Sequence, residues 1–564
     1  MCGIAGIVGE DTSKFNIDAM LDSLSHRGPD ATGKYYNSLC YLGHNRLSII
    51  DLSKNANQPY YSNNNRYVLV FNGAIYNYLE LKHELKNNYD FKTNSDTEVL
   101  LAAYLTWGKD CLHKLNGMFA FAIWDNLKKS LFAARDRFGV KPFYYAHKNK
   151  TFYFASEIKA LFKAEILKRP NEDVWSSYFL TGSYGLPQET FWEDIHQLAA
   201  GHFLTYKDDT LEIEKWYLFE QQIHLSNRTE KEVKEEYATL LLDAVKLRFR
   251  SDVPVGFNLS GGLDSSMLLS LVNDFDSSKN INAFSFYCND KKYDELPWVE
   301  KMINQTKNPL TTVLFESEDV QDYSKIISLA QDEPFGGIPT LAYAKIFKEA
   351  SKQGIKVLLD GQGMDEQWAG YDYYFKESNA TIQGMSNSPS REKMFHKDLL
   401  NEFKPFEYPK FFKEYILNLQ YRDLFYTKIP RALRFNDRIS MLYGTELREP
   451  FLDYRLVELA FSQPINYKIK NGIQKYILRE IAKGKYDKKI INTPKRPLQT
   501  PQREWLGKDL KYFVNEQIES LLESKVNHWF NKDEVVKEWK LYSEGNNESS
   551  FHIWQLLNTS LINF

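Results

Sequence analysis

The 564 residues carry 71 Lys and Arg against 74 Asp and Glu, a net charge of −3, which leaves no basic footprint for nucleic acid or an anionic membrane surface. Hydrophobic residues at 43% and charged residues at 26% are ordinary for a chain with ample core, and Gly 28 with Pro 19 excludes collagen-like and low-complexity chains. At roughly 150 residues per domain the length suggests three or four units or two large ones. No apolar run approaches the ~18 residues of a spanning helix. Met1-Cys2-Gly3-Ile4-Ala5-Gly6 lacks the basic region of a signal peptide. Cys2, Cys40, Cys111 and Cys288 fall at no metal-ligand spacing and are too sparse for a disulfide scaffold, so a soluble cytoplasmic protein is expected.

Along the first ~205 residues, short β-type runs alternate with Gly- and Asn-containing breaks: Tyr67 to Phe71, Ala120 to Trp124, Leu131 to Ala134 and Thr151 to Ala155. Tyr78 to Leu85 and Glu98 to Tyr104 have helical apolar spacing. Residues 206–228 are polar and irregular and read as a linker. Thr229-x-x-Glu232 is then a capping box opening a helix whose apolar face includes Val233, Tyr237, Leu241 and Val245. A strand over Val253 to Leu259 leads through a Gly-rich turn to a helix from Ser265 to Val272. A strand at Asn282 to Tyr287, a helix at Thr340 to Ser351 and a strand at Ile355 to Leu359 follow. This alternation predicts a parallel, doubly wound sheet with ligands at its strand C-termini. Glu377 to Ser390 reads as an exposed loop carrying the sequon Asn379-Ala380-Thr381, and beyond ~395 the pattern is mainly helical.

A cysteine at position 2 becomes chemically distinctive if Met1 is removed. Its thiol then lies beside its own α-amine, whose pKa of about 7.7–8.0 suits it to act as the base for the nucleophile. Asn72-Gly73, at the end of a strand-like run, reads on its own as a tight turn. The start Cys2-Gly3-Ile4-Ala5-Gly6-Ile7 resembles that of class II (N-terminal nucleophile) glutamine amidotransferases. So do His26-Arg27-Gly28-Pro29-Asp30, Gly43-His44-Asn45-Arg46-Leu47-Ser48-Ile49, Phe71 to Asn77, Ser95-Asp96-Thr97-Glu98, and Arg135 to Pro142. The resemblance implies Cys2 as nucleophile and Asn72 with Gly73 as oxyanion hole. It places Arg46 on the α-carboxylate of glutamine and Asp96 on its ammonium, with Leu47, Ile49, Ile50 and Ala74 completing the site. Asp96 reads equally as a helix N-cap. Ala74 stands where an acidic residue is often found.

Ser260-Gly261-Gly262-Leu263-Asp264-Ser265-Ser266, between strand and helix, suits backbone contact with phosphate oxygens but lacks the Gly-Lys-Ser/Thr ending of a Walker A loop. It resembles the pyrophosphate loop of N-type ATP pyrophosphatases. Leu359-Asp360-Gly361-Gln362-Gly363-Met364-Asp365-Glu366 closes the next strand in a position to face it. With Glu446 to Asp453 and Gln474 to Arg479, the resemblance extends to the asparagine synthetase family and spans nearly all of the chain. It implies an N-terminal nucleophile αββα sandwich over 2–205 and a linker over 206–228. A doubly wound ATP-pyrophosphatase-type domain with a helical C-terminal part would then occupy 229–564. ATP would contact Leu259, Ser260, Gly261, Gly262, Asp264, Ser265, Phe286, Asp360, Gly361 and Lys475, and Asp264 and Asp365 would hold Mg²⁺. Leu259 and Phe286 are equally good core residues.

The implied activity is glutamine-dependent asparagine synthesis through an aspartyl-adenylate, with small-molecule substrates, neither nucleic acid nor membrane as partner, and a homodimer compatible with the resemblance. Two departures bear on the acceptor. Members that make asparagine usually carry Ser-Gly-Glu-Gly where this chain has Asp360-Gly361-Gln362-Gly363, and a glutamine cannot take up a proton as that glutamate does. Asp332 to Thr340, where substrate contacts are expected, offers no arginine. Asp360 is one replacement base. A different carboxylate, such as a uronate sugar or another metabolite, is the alternative acceptor. A glutaminase whose second domain only senses nucleotide is opposed by the intact Ser260 to Ser266 loop with Asp264, Asp365 and Lys475.

Overall fold

The computed structural model describes the chain except residues 1, 10–11, 13–15, 276–279, 375–389, 484–490, 492–498 and 548. The expected loop at 377–390, with its sequon, therefore lies outside the described residues but for Ser390.

The N-terminal half holds two six-stranded sheets, each antiparallel throughout. The first runs, edge to edge, His196–Gln197, Tyr144–Lys148, Thr151–Ala155, Gly3–Gly9, Cys40–Arg46 and Ala31–Tyr36. The second runs Thr210–Lys215, His202–Lys207, Ser130–Arg135, Gly117–Asp125, Tyr67–Ile75 and Tyr60–Tyr61. Their facing sides bury Ile4, Val8, Leu42, Val68, Val70, Ala122, Trp124 and Phe154 in one core. Helices Ile17–Ser23 and Ile158–Lys163 cover the outer face of the first sheet, and Tyr78–Leu85 and Asp96–Trp107 that of the second. This is an αββα sandwich.

Two sequence expectations are corrected. Residues 206–215 are not linker, because Thr210–Lys215 forms the edge hairpin with His202–Lys207. That strand is almost entirely exposed and alternates polar with isolated apolar residues, so it shows no buried run to read. Nor do Asn72 and Gly73 form a turn. The strand continues to Ile75, pairing Gly73 with Phe119.

The capping box forms as expected, with Thr229 and Glu232 starting the 20-residue helix Glu230–Phe249. Beyond it stands a five-stranded sheet, all parallel, in the order Leu310–Leu314, Ala283–Tyr287, Val255–Asn258, Val357–Leu359 and Glu446–Arg448. The chain builds outward from Val255–Asn258 in one direction and then in the other, so the switch point lies between that strand and Val357–Leu359. Helices Leu263–Phe275 and Ile338–Lys352 flank the sheet, and residues after 395 are mainly helical. No helix among the described residues is long and apolar enough to cross a membrane.

The two halves are joined by buried charge. Arg27 is fully buried; its Nη1 donates to Glu157 Oε1 at 2.6 Å and to Asp437 Oδ2 at 2.8 Å, and its Nη2 to Asp437 Oδ1 at 3.2 Å. Arg438 lies 3.5 Å from Glu157 and donates to the Ser156 carbonyl at 2.9 Å. Burial alone would raise the Glu157 carboxyl, but Lys159, His26, Arg438 and Arg27 hold it well below the usual range. Removing one partner of such a cluster strands a charge without water. Asp437→Asn is expected to cost about 3 kcal/mol, read as a lower midpoint in denaturant unfolding. Asp18→Asn, at the exposed pair with Lys34, should cost ~0–1 kcal/mol. Equal midpoints for the two variants would contradict this account.

Candidate active sites

Cys2 sits at the start of the Gly3–Gly9 strand, buried in the wall of a small pocket. Its backbone N–H donates to Asn72 Oδ1 at 3.0 Å, and its carbonyl accepts from Arg27 Nε at 3.1 Å. Asn72 Nδ2 is buried without a hydrogen-bond partner, a donor left over on the side chain that holds the Cys2 N–H. Next to it, a Cβ on Gly73 would stand 2.1 Å from the Met118 carbonyl oxygen, so only glycine lets the two strands pair this closely.

Arg46 ends the Cys40–Arg46 strand. Three hydrogen bonds fix its guanidinium: Nη1 to the Ser53 carbonyl and to Asn57 Oδ1, both at 2.7 Å, and Nη2 to the Asp51 carbonyl. Asp96 is the first residue of its helix, and Ser95 supplies the cap to Thr97 N–H, so the capping role considered for Asp96 belongs to its neighbour. Asp96 Oδ2 instead accepts Ile75 N–H at 2.9 Å. Leu47, Ile49, Ile50, Gly73 and Ala74 line the same pocket. The structure thus gathers every residue expected at this end.

Two residues that the sequence did not suggest complete the wall. Glu446 and Arg448 come from the edge strand of the parallel sheet, more than 400 positions away in the chain, and Arg448 Nε donates to Glu446 Oε1 at 2.5 Å. Both belong to a segment that carried family resemblance but no stated role.

Burial pushes the Cys2 thiol up, opposed by the Leu47 N–H and the Arg46 charge, so the resting thiol needs a base. The nearby imidazoles are engaged elsewhere. His44 Nε2 lies 3.2 Å from the Phe71 carbonyl, and burial drives its pKa down to about 3, while His26 faces Glu157. Asp96 is pushed up to about 6, chiefly by burial and also by Glu446, against the Ile75 N–H and Arg448. Glu446 is as deeply buried, yet surrounding positive charge, Arg448 and Lys141 included, holds it at about 2.

The second site is a cleft of about 360 Å³ at the switch point of the parallel sheet. Ser260, Gly261, Gly262, Asp264 and Ser265 form one lip; Asp360, Gly361, Gln362 and Asp365 form the other; Lys475 and Arg479 close the side. Gly261 has φ +69°, and a Cβ there would lie 2.7 Å from that of Trp298. Ser265 Oγ donates to the Gly262 carbonyl at 3.3 Å, closing the loop over the helix start. Lys475 Nζ lies 2.6 Å from Asp264 Oδ2 and 2.7 Å from Asp365 Oδ1. One cation therefore already bridges the two carboxylates expected to hold Mg²⁺. Their carboxylate oxygens are donors of the kind that would suit a hard divalent cation. No group of three metal-ligating side chains occurs among the described residues.

Leu259 and Phe286 depart from expectation. Neither lines the cleft; Leu259 packs with Phe257, Leu263 and Leu359, and Phe286 with the core on the other face of the sheet. Their apolar side chains point into the layers that hold the loops rather than into the opening.

The family model described as a glutamine amidotransferase domain matches residues 1–217, and the one described as asparagine synthase matches residues 236–563. The chain belongs to the asparagine synthase family. It is a carbon–nitrogen ligase built on a fused glutamine amidotransferase domain. Similar proteins include asparagine synthetase (glutamine-hydrolysing) 3 of Bacillus subtilis, 31% identical over 88% of this chain and 86% of that one. A putative asparagine synthetase (glutamine-hydrolysing) 2 of Methanocaldococcus jannaschii is 38% identical over 66% of this chain and 76% of its own. Amidase chry2 of Gibberella zeae is 27% identical over 89% and 87%.

In this family member the close strand contact at Gly73 gives a direct test. Gly73→Ala forces the Met118 carbonyl away and should cost about 1–3 kcal/mol of stability in denaturant unfolding. An unchanged midpoint would show that the strand pair yields freely.

Proposed function

We propose that the chain is a glutamine-dependent asparagine synthetase in which ammonia made at Cys2 is consumed in the cleft of the parallel sheet. The observation that carries this reading is a single strand. Glu446–Arg448 walls the Cys2 pocket with its side chains and pairs with Val357–Leu359, whose end forms the lip of the cleft.

At the first site, removal of Met1 frees the nitrogen that donates to Asn72 Oδ1. As an α-amine it takes the thiol proton while Cys2 attacks the glutamine amide. Asn72 Nδ2 and the Gly73 N–H receive the developing oxyanion. The hydrogen bonds that fix Arg46 leave its remaining N–H groups for the α-carboxylate, and Asp96 takes the ammonium. Glutamate and ammonia leave.

At the second site, ATP lies with its phosphates on the Ser260 to Ser265 loop, Asp360 and Gly361 opposite, and Lys475 on the pyrophosphate. Asp264 and Asp365 would hold Mg²⁺, which would supply charge neutralisation for the departing pyrophosphate. The β-carboxylate of aspartate attacks the α-phosphorus, and ammonia displaces AMP from the resulting acyl-adenylate. Domain limits of 2–205 and 229–564 correspond to these two half-reactions, with the hairpin to Lys215 added to the first.

Gln362 in the cleft wall favours a second reading, in which both half-reactions are kept but another carboxylate is amidated; two relatives bearing the name amidase fit it as well. A panel of carboxylates scored by acceptor-dependent pyrophosphate release separates the two. Aspartate should give pyrophosphate, AMP and asparagine in equal amounts, and release with a different carboxylate alone selects the second reading. ATP cleaved to ADP would sink both.

Cys2→Ala should abolish glutamine use and spare synthesis from ammonium salts; loss of both activities would place Cys2 outside this role. The Asp96 carboxyl, held up at about 6, is ionised above that pH and protonated below it. The KM for glutamine should therefore rise as pH falls through 6, approaching ~10-fold per unit. Asp96→Asn should show a high KM with that dependence gone. A flat wild-type profile over about one unit either side of pH 6 would remove Asp96 from the ammonium.

A further inference from the structure

Two buried carboxyl groups stand side by side where the parallel sheet meets the cleft. Register pairs Leu359 with Arg448, so Asp360 and Glu449 leave adjacent strands as neighbours, and Asp360 N–H donates to the Arg448 carbonyl at 3.0 Å. Asp360 lines the cleft, whereas Glu449 lies behind it, 3% exposed. Asp360 Oδ1 accepts the Gly361 N–H at 2.7 Å, but Asp360 Oδ2 and both oxygens of Glu449 make no full hydrogen bond.

The groups facing Glu449 are Asp360, the Gln362 N–H, Lys141 and Arg248, with the Tyr343 phenol near both carboxyls. Lys141 is itself tied to the Leu447 carbonyl at 3.3 Å. Burial raises Asp360 to about 6, and burial together with the Asp360 charge raises Glu449 well above the usual range. Such a pair retains a proton near neutrality and can exchange it. An isolated buried carboxyl with unfilled lone pairs is costly to keep, so its place beside a reaction cleft asks for a use.

Acylation of ammonia supplies one. The nitrogen lone pair forms the C–N bond, the carbonyl π pair moves to oxygen and returns to re-form the carbonyl, and AMP leaves with the electron pair of the broken C–O bond. The nitrogen must lose one proton to become an amide. Gln362 cannot take it.

We propose that Asp360 and Glu449 form a carboxyl pair that accepts this proton, replacing the glutamate that position 362 lacks. Asp360 is the catalytic residue, facing the acyl-adenylate; Glu449 is its positioning partner, sharing the proton and setting the charge of the pair. The proposal rests on the two half-reactions described above and names no particular acceptor.

The test uses the full chain with ATP, Mg²⁺ and the carboxylate that supports pyrophosphate release. Ammonium chloride and hydroxylamine are compared as nucleophiles, because the hydroxylamine adduct sheds its proton more readily. In Glu449→Gln the ratio of amide to hydroxamate should fall about 100-fold, and the low-pH limb of the ammonia-dependent rate should shift. Adding Gln362→Glu to that variant should restore the ratio to within ~10-fold of wild type. A ratio unchanged in Glu449→Gln, or a fall that Gln362→Glu leaves uncorrected, overturns the proposal. Absence of carboxylate-dependent pyrophosphate release in the wild type overturns the reading beneath it, and the pair with it.

Discussion

Arg27 is the residue on which both halves close. It holds the Cys2 carbonyl with one nitrogen and uses the others to bind Glu157 in its own sandwich and Asp437 in the helix Lys428–Met441 of the second half. A fully buried guanidinium survives only if its donors are satisfied and its charge balanced. Here the balance needs carboxylates from both halves. The backbone of Cys2 is thereby anchored to a helix of the other half through one side chain. Arg438, beside Asp437, reaches back to Glu157 and Ser156, so the anchoring is reciprocal.

This junction decides how the edge of the parallel sheet is used. An edge strand left open presents unpaired backbone to solvent. Glu446–Arg448 is instead covered by the sandwich, with the Lys141 ammonium on the Leu447 carbonyl and with Glu446 and Arg448 in the Cys2 pocket. Alternation along the strand then separates two functions: residues 446 and 448 face the first site, and Glu449, one step on, stands behind the lip of the second. The distance between the sites is spanned by one short strand rather than by a flexible connection.

Much of this was legible in the sequence, and the reasons differ by residue. Cys2, Arg46, Asp96 and the Ser260 to Ser266 loop stood in motifs whose chemistry is local, and the structure gathers them into two sites. The parallel sheet followed from alternating apolar strands and amphipathic helices. The Thr210–Lys215 strand was lost because an exposed edge has no apolar pattern, and Asn72-Gly73 misled because the strand needs a glycine for close pairing rather than for a turn. Leu259 and Phe286 show the opposite limit: an apolar residue next to a loop can face core or cleft, and only coordinates decide. Glu446, Arg448 and Glu449 were beyond reach, since nothing local marks an edge strand as shared between domains.

The two pockets pull pairs of carboxyls apart by environment, a pattern that assigns roles in acid–base sites. Near Cys2, Glu446 and Asp96 are both buried, yet surrounding positive charge holds Glu446 at about 2, while burial raises Asp96 to about 6. Glu446 already faces Arg448, and Asp96 is the carboxylate to which the proposed function assigns an incoming ammonium. In the cleft the arrangement is reversed. Asp264 and Asp365 are compensated by Lys475, whereas Asp360 and Glu449 stand together with no direct ion pair among the described residues. Carboxylates paired with a lysine suit a metal–phosphate complex, whereas two carboxyls that share one proton retain an ionised oxygen that can accept another. In the proposed reaction the same residue type would thus serve binding where Lys475 reaches and proton transfer where it does not.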